Sequence, residues 1–114
     1  MATRAFNGSG PLPKIHYIAF GDGGHNPDLS IIPANANATG LYHELLRKPL
    51  ETLIQEDVYS VTGLGVVENS ELVGLRISEA ALFDANGAIV GIKTFSPKFK
   101  ESDERYEISI KIRF

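Results

Sequence analysis

The chain has 114 residues, of which 43% are hydrophobic and 22% charged, and its formal net charge is −3 at pH 7. This is the composition of one globular domain, without room for a second. The lack of cysteine excludes disulfides, thiol nucleophiles and cysteine-ligated zinc. The net negative charge gives no support for a nucleic-acid partner, and no apolar run reaches the ~18–20 residues that span a bilayer.

The N-terminal part of the chain is predicted to be a flexible arm. Residues 7–13 contain two glycines and two prolines, a composition that holds neither a helix nor a sheet ladder. Residues 1–13 are therefore assigned to the arm, and residues 14–114 to a single β-rich domain. The first strand is expected over residues 15–20, a run of β-forming residues that ends where the glycines begin at Gly21.

A long loop and a short helix are expected next. Residues 21–38 are rich in Gly, Asp, Asn and Pro, and loops of this length usually serve a function or an interface. Thr39 can then cap a helix that places Leu41 and Leu45 on its buried side. Pro49 would end this helix after about two turns, because the residue before a proline is pushed out of the α region.

The remainder of the chain is predicted to be β-structure. Extended segments are expected at 50–55, 58–62, 75–83, 88–95 and 106–114. The turn Asp84-Ala85-Asn86-Gly87 is typical of a hairpin, because Asn-Gly accepts positive φ, and Glu56-Asp57 is a plausible second one. In the last segment apolar residues alternate with polar ones from Tyr106 to Phe114. Together with the first strand, this predicts a mainly β fold, an antiparallel β sandwich or barrel of about six strands with one short helix.

No motif in the sequence carries catalytic chemistry, so we expect no enzyme, no cofactor and no metal. The long loop gathers Asp22, His25 and Asp28, but it lacks the alternating oxygen ligands and the distal glutamate of a calcium loop. A tight turn in which Asp22 bonds nearby amides accounts for the same pattern. His16 is expected to be a partly buried structural residue within its strand, and His43 to be exposed on the helix.

One charged residue interrupts an apolar strand face. Strict alternation over residues 75–83 places Glu79 on one face with Leu75, Ile77, Ala81 and Phe83. A buried carboxylate needs a partner, and Arg47, at the end of the predicted helix, is the hypothesis for it. The alternative is that Glu79 lies at an edge and reaches solvent.

Three separated stretches carry a family resemblance. The first is Ile18-Ala19-Phe20-Gly21-Asp22-Gly23, the second comprises Leu41, Glu44, Arg47 and Pro49, and the third runs from Ile77 to Val90 and includes Glu79, Asp84, Asn86 and Gly87. In this order and spacing they resemble the phage tail-collar fibre proteins, the virion-attached N-terminal domain of tail fibres in contractile-tailed phages. As an ordered set, the three stretches extend the resemblance over about residues 15–114.

The resemblance implies a structural, non-catalytic phage tail protein. Such a protein is made in the host cytoplasm and placed in the virion, where it attaches a tail fibre, or forms its base, at the baseplate or tail tip. Its implied partners are other tail, baseplate or fibre proteins and further copies of itself, commonly as a trimer, with no nucleic acid and no membrane insertion. Apolar loop residues that are hard to place in a small core, Leu29, Ile31 and Ile32, are the expected interface. Because family members continue into a fibre shaft, the chain is either an excised attachment domain or a short stand-alone adaptor.

The alternative function is a small β module that binds a carbohydrate or a metal ion through the 21–38 loop. Asp22, His25 and Asp28 would form its site. Sugar sites usually stack an aromatic ring against the sugar, whereas this sequence has no tryptophan and no Phe or Tyr between Gly21 and Leu41. The composition of the loop therefore weakens this alternative.

Overall fold

The computed structural model describes residues 15–35 and 37–113. Phe114 and the predicted arm over residues 1–13 lie outside the described residues. The strands are β1 (Ile15–Gly21), β2 (Glu44–Pro49), β3 (Thr52–Asp57), β4 (Ser60–Val67), β5 (Arg76–Asp84), β6 (Ile89–Phe99) and β7 (Tyr106–Arg113). Within the described ranges, no helix is long and apolar enough to cross a membrane.

The strands form two antiparallel sheets, one in the order β2-β1-β5-β6 and one in the order β3-β4-β7. This confirms the predicted mainly β, antiparallel architecture. One apolar core is shared by the two sheets, and its buried members are Ile15, Ile18, Phe20, Val61, Val67, Ile77, Ala80, Leu82, Tyr106 and Ile110. The predicted alternation of the last strand is present in β7, where Tyr106 and Ile110 are buried while Glu107 and Lys111 are exposed.

The predicted short helix after Thr39 is wrong, because its second half is strand β2. This strand pairs with β1 in the register Ile18 to Lys48 and Phe20 to Leu46. A helix of two turns forms few hydrogen bonds for the ordering that it requires, whereas β1 offers an open edge along the whole segment. Pro49 is tolerated at the end of β2, because β2 is an edge strand.

The two predicted hairpins are present, and a carboxylate closes each turn. In the β5–β6 turn Asp84 accepts hydrogen bonds from the backbone N–H groups of Asn86 and Ala88, both at 2.9 Å, and Gly87 has a φ of 85°. The β3–β4 turn lies at residues 58–59 rather than at Glu56-Asp57. Asp57 ends β3 and accepts from the N–H of Tyr59 at 2.7 Å, so the acidic pair precedes the turn.

Candidate functional site

The carboxylate of Glu79 on β5 is completely buried and binds three backbone amides. Its Oε1 accepts from the N–H of Tyr42 at 2.8 Å, and its Oε2 accepts from the N–H groups of Gly23 at 2.9 Å and His43 at 2.8 Å. Gly23 is the second residue of the β1–β2 loop, residues 22–43, and Tyr42 and His43 are its last two. Hydrogen bonds to a charged acceptor are stronger than neutral ones, so one side chain fastens both ends of the loop to the sheet.

Glu79 lies where the pairing between β5 and β6 is irregular. The register shifts between Ile77 and Glu79, and the extra residues at this shift belong to β6. Ile77 belongs to the shared core, whereas Ala81 and Phe83 form a separate cluster with the half-buried Leu41 of the loop. Glu79 alternates with Ala81 and Phe83, so it lies on the face that the loop covers.

The hypothesis that Glu79 pairs with Arg47 is wrong, and so is the alternative that Glu79 reaches solvent. Arg47 donates to the carboxylate of Glu44 from Nε at 3.0 Å and from Nη2 at 2.8 Å. Its Cζ also lies 3.8 Å from the centroid of the Phe83 ring, and its Nη1 lies 3.9 Å from the position that a Cβ would occupy at Gly87. The reason is the strand pairing, which sets Arg47 opposite Ala19 rather than opposite the end of β1 where Glu79 lies.

Ser78, next to the buried carboxylate, holds the following part of the loop. Its hydroxyl oxygen accepts from the N–H of Gly24 at 2.9 Å and lies 2.7 Å from Nδ1 of His25. Ser78 is completely buried, and its hydrogen bond with Gly24 is shielded from water. Ser78 and Glu79 together bind the loop from Gly23 to His25.

The glycines of the Gly21-Asp22-Gly23-Gly24 segment allow the loop backbone to lie directly on β5. A Cβ at Gly21 would lie 2.5 Å from Oε2 of Glu79, and one at Gly24 would contact the carbonyl oxygen of Ser78. A Cβ at Gly23 would lie 2.6 Å from that of Tyr42. The close approach of this segment to β5 therefore requires glycine at these positions, because any other residue would add a Cβ atom.

An exposed ion pair joins the two ends of the loop a second time. The Oδ1 of Asp22 lies 2.5 Å from Nδ1 of His43, and the N–H of Asp22 donates to the carbonyl oxygen of His43 at 3.2 Å. The hydrogen bond and the negative charge of Asp22 raise the pKa of His43 above its usual value near 6.5. His43 is exposed as predicted, but it lies just before β2 and not on a helix. His16 lies in β1 as predicted but is exposed rather than partly buried.

Replacing Asp22 with asparagine is expected to lower the pKa of His43 towards its usual value, which an NMR titration of the His43 ring would measure. Since the pKa is raised in the folded state, the pair stabilises the fold fully below the unfolded-state pKa and loses this contribution as the pH rises through the folded-state pKa. Asp28→Asn is the control, because Asp28 binds Ser30 and not a histidine. An unchanged pKa of His43 in Asp22→Asn would contradict the assignment of the pair.

The far end of the loop is a small ordered hairpin that exposes apolar side chains. The N–H of Asn26 donates to the carbonyl oxygen of Ser30, and that of Ile32 donates to Gly24, both at 2.9 Å. Of the predicted interface residues, Leu29 and Ile31 are 44% and 47% exposed, whereas Ile32 is half-buried. Tyr42, which is not among the predicted interface residues, is 51% exposed in the same loop, and its hydroxyl donates to the carbonyl oxygen of Pro33.

The three side chains that the alternative function requires have separate partners. Asp22 binds His43, His25 contacts Ser78, and Asp28 accepts from the N–H and hydroxyl of Ser30. Among the residues that the structure describes, no group of three or more His, Asp or Glu side chains is placed to hold a metal ion. The structure thus gives no support to a site built from Asp22, His25 and Asp28.

The predicted motif residues fall into two clusters on one sheet. Gly21, Asp22, Gly23 and Glu79 meet at the base of the loop. Arg47 binds Glu44 and reaches Gly87 in the turn that also contains Asp84 and Asn86, while Pro49 ends β2. Sequence reasoning missed Ser78 and Tyr42 as parts of the site. The available signal for Ser78 was a polar pair, Ser78-Glu79, inside an otherwise apolar strand.

The comparisons with known proteins leave the family open. The sequence matches no model of a known protein family, and no curated protein matches it. The functional conclusion therefore depends on the geometry of the β1–β2 loop and on the resemblance of its residues.

Proposed function

We propose that this chain is a structural, non-catalytic phage tail protein that attaches a tail fibre, or forms its base, at the baseplate or tail tip of the virion. The observation that carries the proposal is that the three stretches of the resemblance converge in space. Gly23 from the first stretch and Glu79 from the third are joined by a hydrogen bond, although 56 residues separate them. Arg47 from the second stretch lies over Phe83 from the third.

This convergence supports a docking role for the β1–β2 loop. The loop is fastened at its base by Glu79 and Ser78, and its tip presents Leu29 and Ile31 to solvent. An apolar surface that is already ordered loses little conformational entropy on binding, which favours association with a protein partner. We assign the partner surface in the tail to this tip, with Tyr42 beside it.

The test is solution mass by light scattering of the purified chain, alone and mixed with the purified products of the neighbouring tail genes. A stable complex with a baseplate or fibre protein is the expected result. Ile31→Asp is expected to weaken this complex by about 30-fold or more, because it places a charge in an apolar interface.

Val73→Asp is the matched control, since Val73 is 46% exposed and Ile31 is 47% exposed, but Val73 lies in the β4–β5 connection. The control is expected to bind like the wild type. If the chain binds none of the neighbouring tail proteins, or if both variants bind them as the wild type does, the proposed docking role of the loop is wrong.

A further inference from the structure

A groove of about 440 Å³ opens where the edge strands β6 and β7 of the two sheets come together. It is lined by buried or half-buried apolar side chains and by exposed cationic ones: Ile77, Phe95 and Ile108, and Lys93, Lys98 and Arg105. An apolar interior with charged side chains around it is suited to an extended protein segment.

Strand β7 directs backbone N–H and carbonyl groups into this groove. Ser109 lies opposite Leu64 of β4, and the carbonyl oxygen of Leu64 accepts from Glu51 on the far side of β4. Ser109 and Leu64 therefore form a non-hydrogen-bonded pair. The N–H and carbonyl groups of Ser109 point away from β4, beyond the edge of the sheet. In the single chain the ammonium of Lys93 donates to this carbonyl oxygen at 3.0 Å, where the N–H of an added strand would donate.

Two of the three cations in the groove have no carboxylate partner among the residues that the structure describes. Arg105 binds Glu107 at 2.8 Å and Glu68 at 3.3 Å. Lys93 and Lys98 make no ion pair within the described part of the chain, and Nζ of Lys98 lies 4.7 Å from the centroid of the Tyr106 ring. The groove is thus complementary to an acidic strand with apolar side chains.

Strand β3, at the opposite edge of the sheet β3-β4-β7, carries acidic and apolar side chains of this kind. Strand β3 pairs only with β4 among the described strands. The segment from Glu51 to Asp57 contains three acidic residues and no basic one. Leu53 and Ile54, in its centre, are 44% and 50% exposed although they are apolar. An exposed apolar edge strand of this kind is a template for pairing with another chain.

We infer that copies of this chain associate head to tail, with β3 of one copy added to β7 of the next in the β6–β7 groove. The sheet β3-β4-β7 then continues from copy to copy, and the acidic β3 edge meets Lys93 and Lys98 of its neighbour. The contact is heterologous, because each copy contributes two different surfaces. The inference concerns self-association and does not depend on the proposed role in a phage tail.

The test is the solution mass, measured across a concentration series by light scattering. The wild type is expected to show a mass that is a multiple of the 12.4 kDa chain. Ile54→Lys on the β3 edge and Lys98→Glu in the groove are each expected to reduce the mass to that of one chain, because each places like charges together. Thermal melting of both variants checks that they remain folded, and Lys93→Glu replaces Lys98→Glu if that variant does not fold.

Mixing the two variants distinguishes this arrangement from a symmetric one. The Ile54→Lys chain keeps its groove and the Lys98→Glu chain keeps its β3 edge, so the mixture is expected to form a complex of two chains and no larger one. Val73→Lys, which lies on neither edge, is expected to assemble like the wild type.

Three outcomes would overturn the inference. The first is a wild type that stays a single chain at every concentration. The second is assembly that survives both Ile54→Lys and Lys98→Glu but is lost in Ile31→Asp, which would assign self-association to the β1–β2 loop. The third is a mixture of the two edge variants in which the chains remain single.

Discussion

Replacing Glu79 with glutamine is expected to reduce the free energy of unfolding by about 2–4 kcal/mol, because an amide cannot accept from all three backbone N–H groups. If the amide oxygen accepts from Gly23 and His43, the NH₂ group faces the N–H of Tyr42, and two donors oppose each other in a buried site. The hydrogen bonds that remain also lose the charge of their acceptor. Denaturant unfolding of the variant and the wild type measures the difference.

The control for Glu79→Gln is Glu44→Gln, the same change at a partly exposed carboxylate that binds Arg47. Its effect is expected to stay within about 1 kcal/mol, as for other exposed ion pairs. Both variants replace a carboxylate with an amide, so the difference between them measures the cost of losing the buried contacts of Glu79 with the three backbone amides. Equal midpoints for Glu79→Gln and the wild type would show that the three amide contacts do not stabilise the fold.

Replacing Gly24 with alanine is expected to destabilise the fold by about 2–3 kcal/mol, because the added methyl group meets backbone rather than a movable side chain. The obstructing atom is the carbonyl oxygen of Ser78, on the central strand β5, which β1 and β6 hold on both sides. The loop must therefore lift from β5 and lose the hydrogen bond from Gly24 to Ser78. Thermal melting measures the loss, and faster hydrogen exchange at the amides of Tyr42 and His43 would report the lifting of the loop.

Gly40→Ala is the matched control, because a Cβ at Gly40 has nothing within 4 Å and the residue lies in the same loop. Its effect is expected to remain within about 0.5 kcal/mol. If Gly24→Ala and Gly40→Ala both melt at the wild-type temperature, close packing of the loop on β5 is not required for stability.

These two predictions concern the base of the loop, whereas docking is assigned to its tip. Glu79→Gln and Gly24→Ala are expected to impair partner binding through the position of the loop, together with a loss of stability. Ile31→Asp is expected to impair partner binding with the melting temperature unchanged, since Ile31 is 47% exposed in the isolated chain. A stability measurement beside each binding measurement therefore separates the two kinds of effect.

Several features of the fold were determined by short-range sequence pattern alone. The alternation in β7 selects one face for the core, because successive side chains of a strand point to opposite sides. The Asp84-Ala85-Asn86-Gly87 turn is equally local, since its hydrogen bonds and its positive φ involve only neighbouring residues. Glu79 could also be recognised as anomalous from its apolar neighbours. These signals suffice for the antiparallel β architecture.

The tertiary structure decided what the local pattern left open. Residues 44–49 have a sequence compatible with a short helix, and they form β2 because the edge of β1 supplies the hydrogen bonds. Glu79 binds the amides of Gly23, Tyr42 and His43 and not Arg47, because the sheet register places it opposite Gly21, where the loop begins and returns. Which strand lies beside which, and on which face a loop folds back, depends on contacts between residues far apart in the chain, and no local periodicity encodes them.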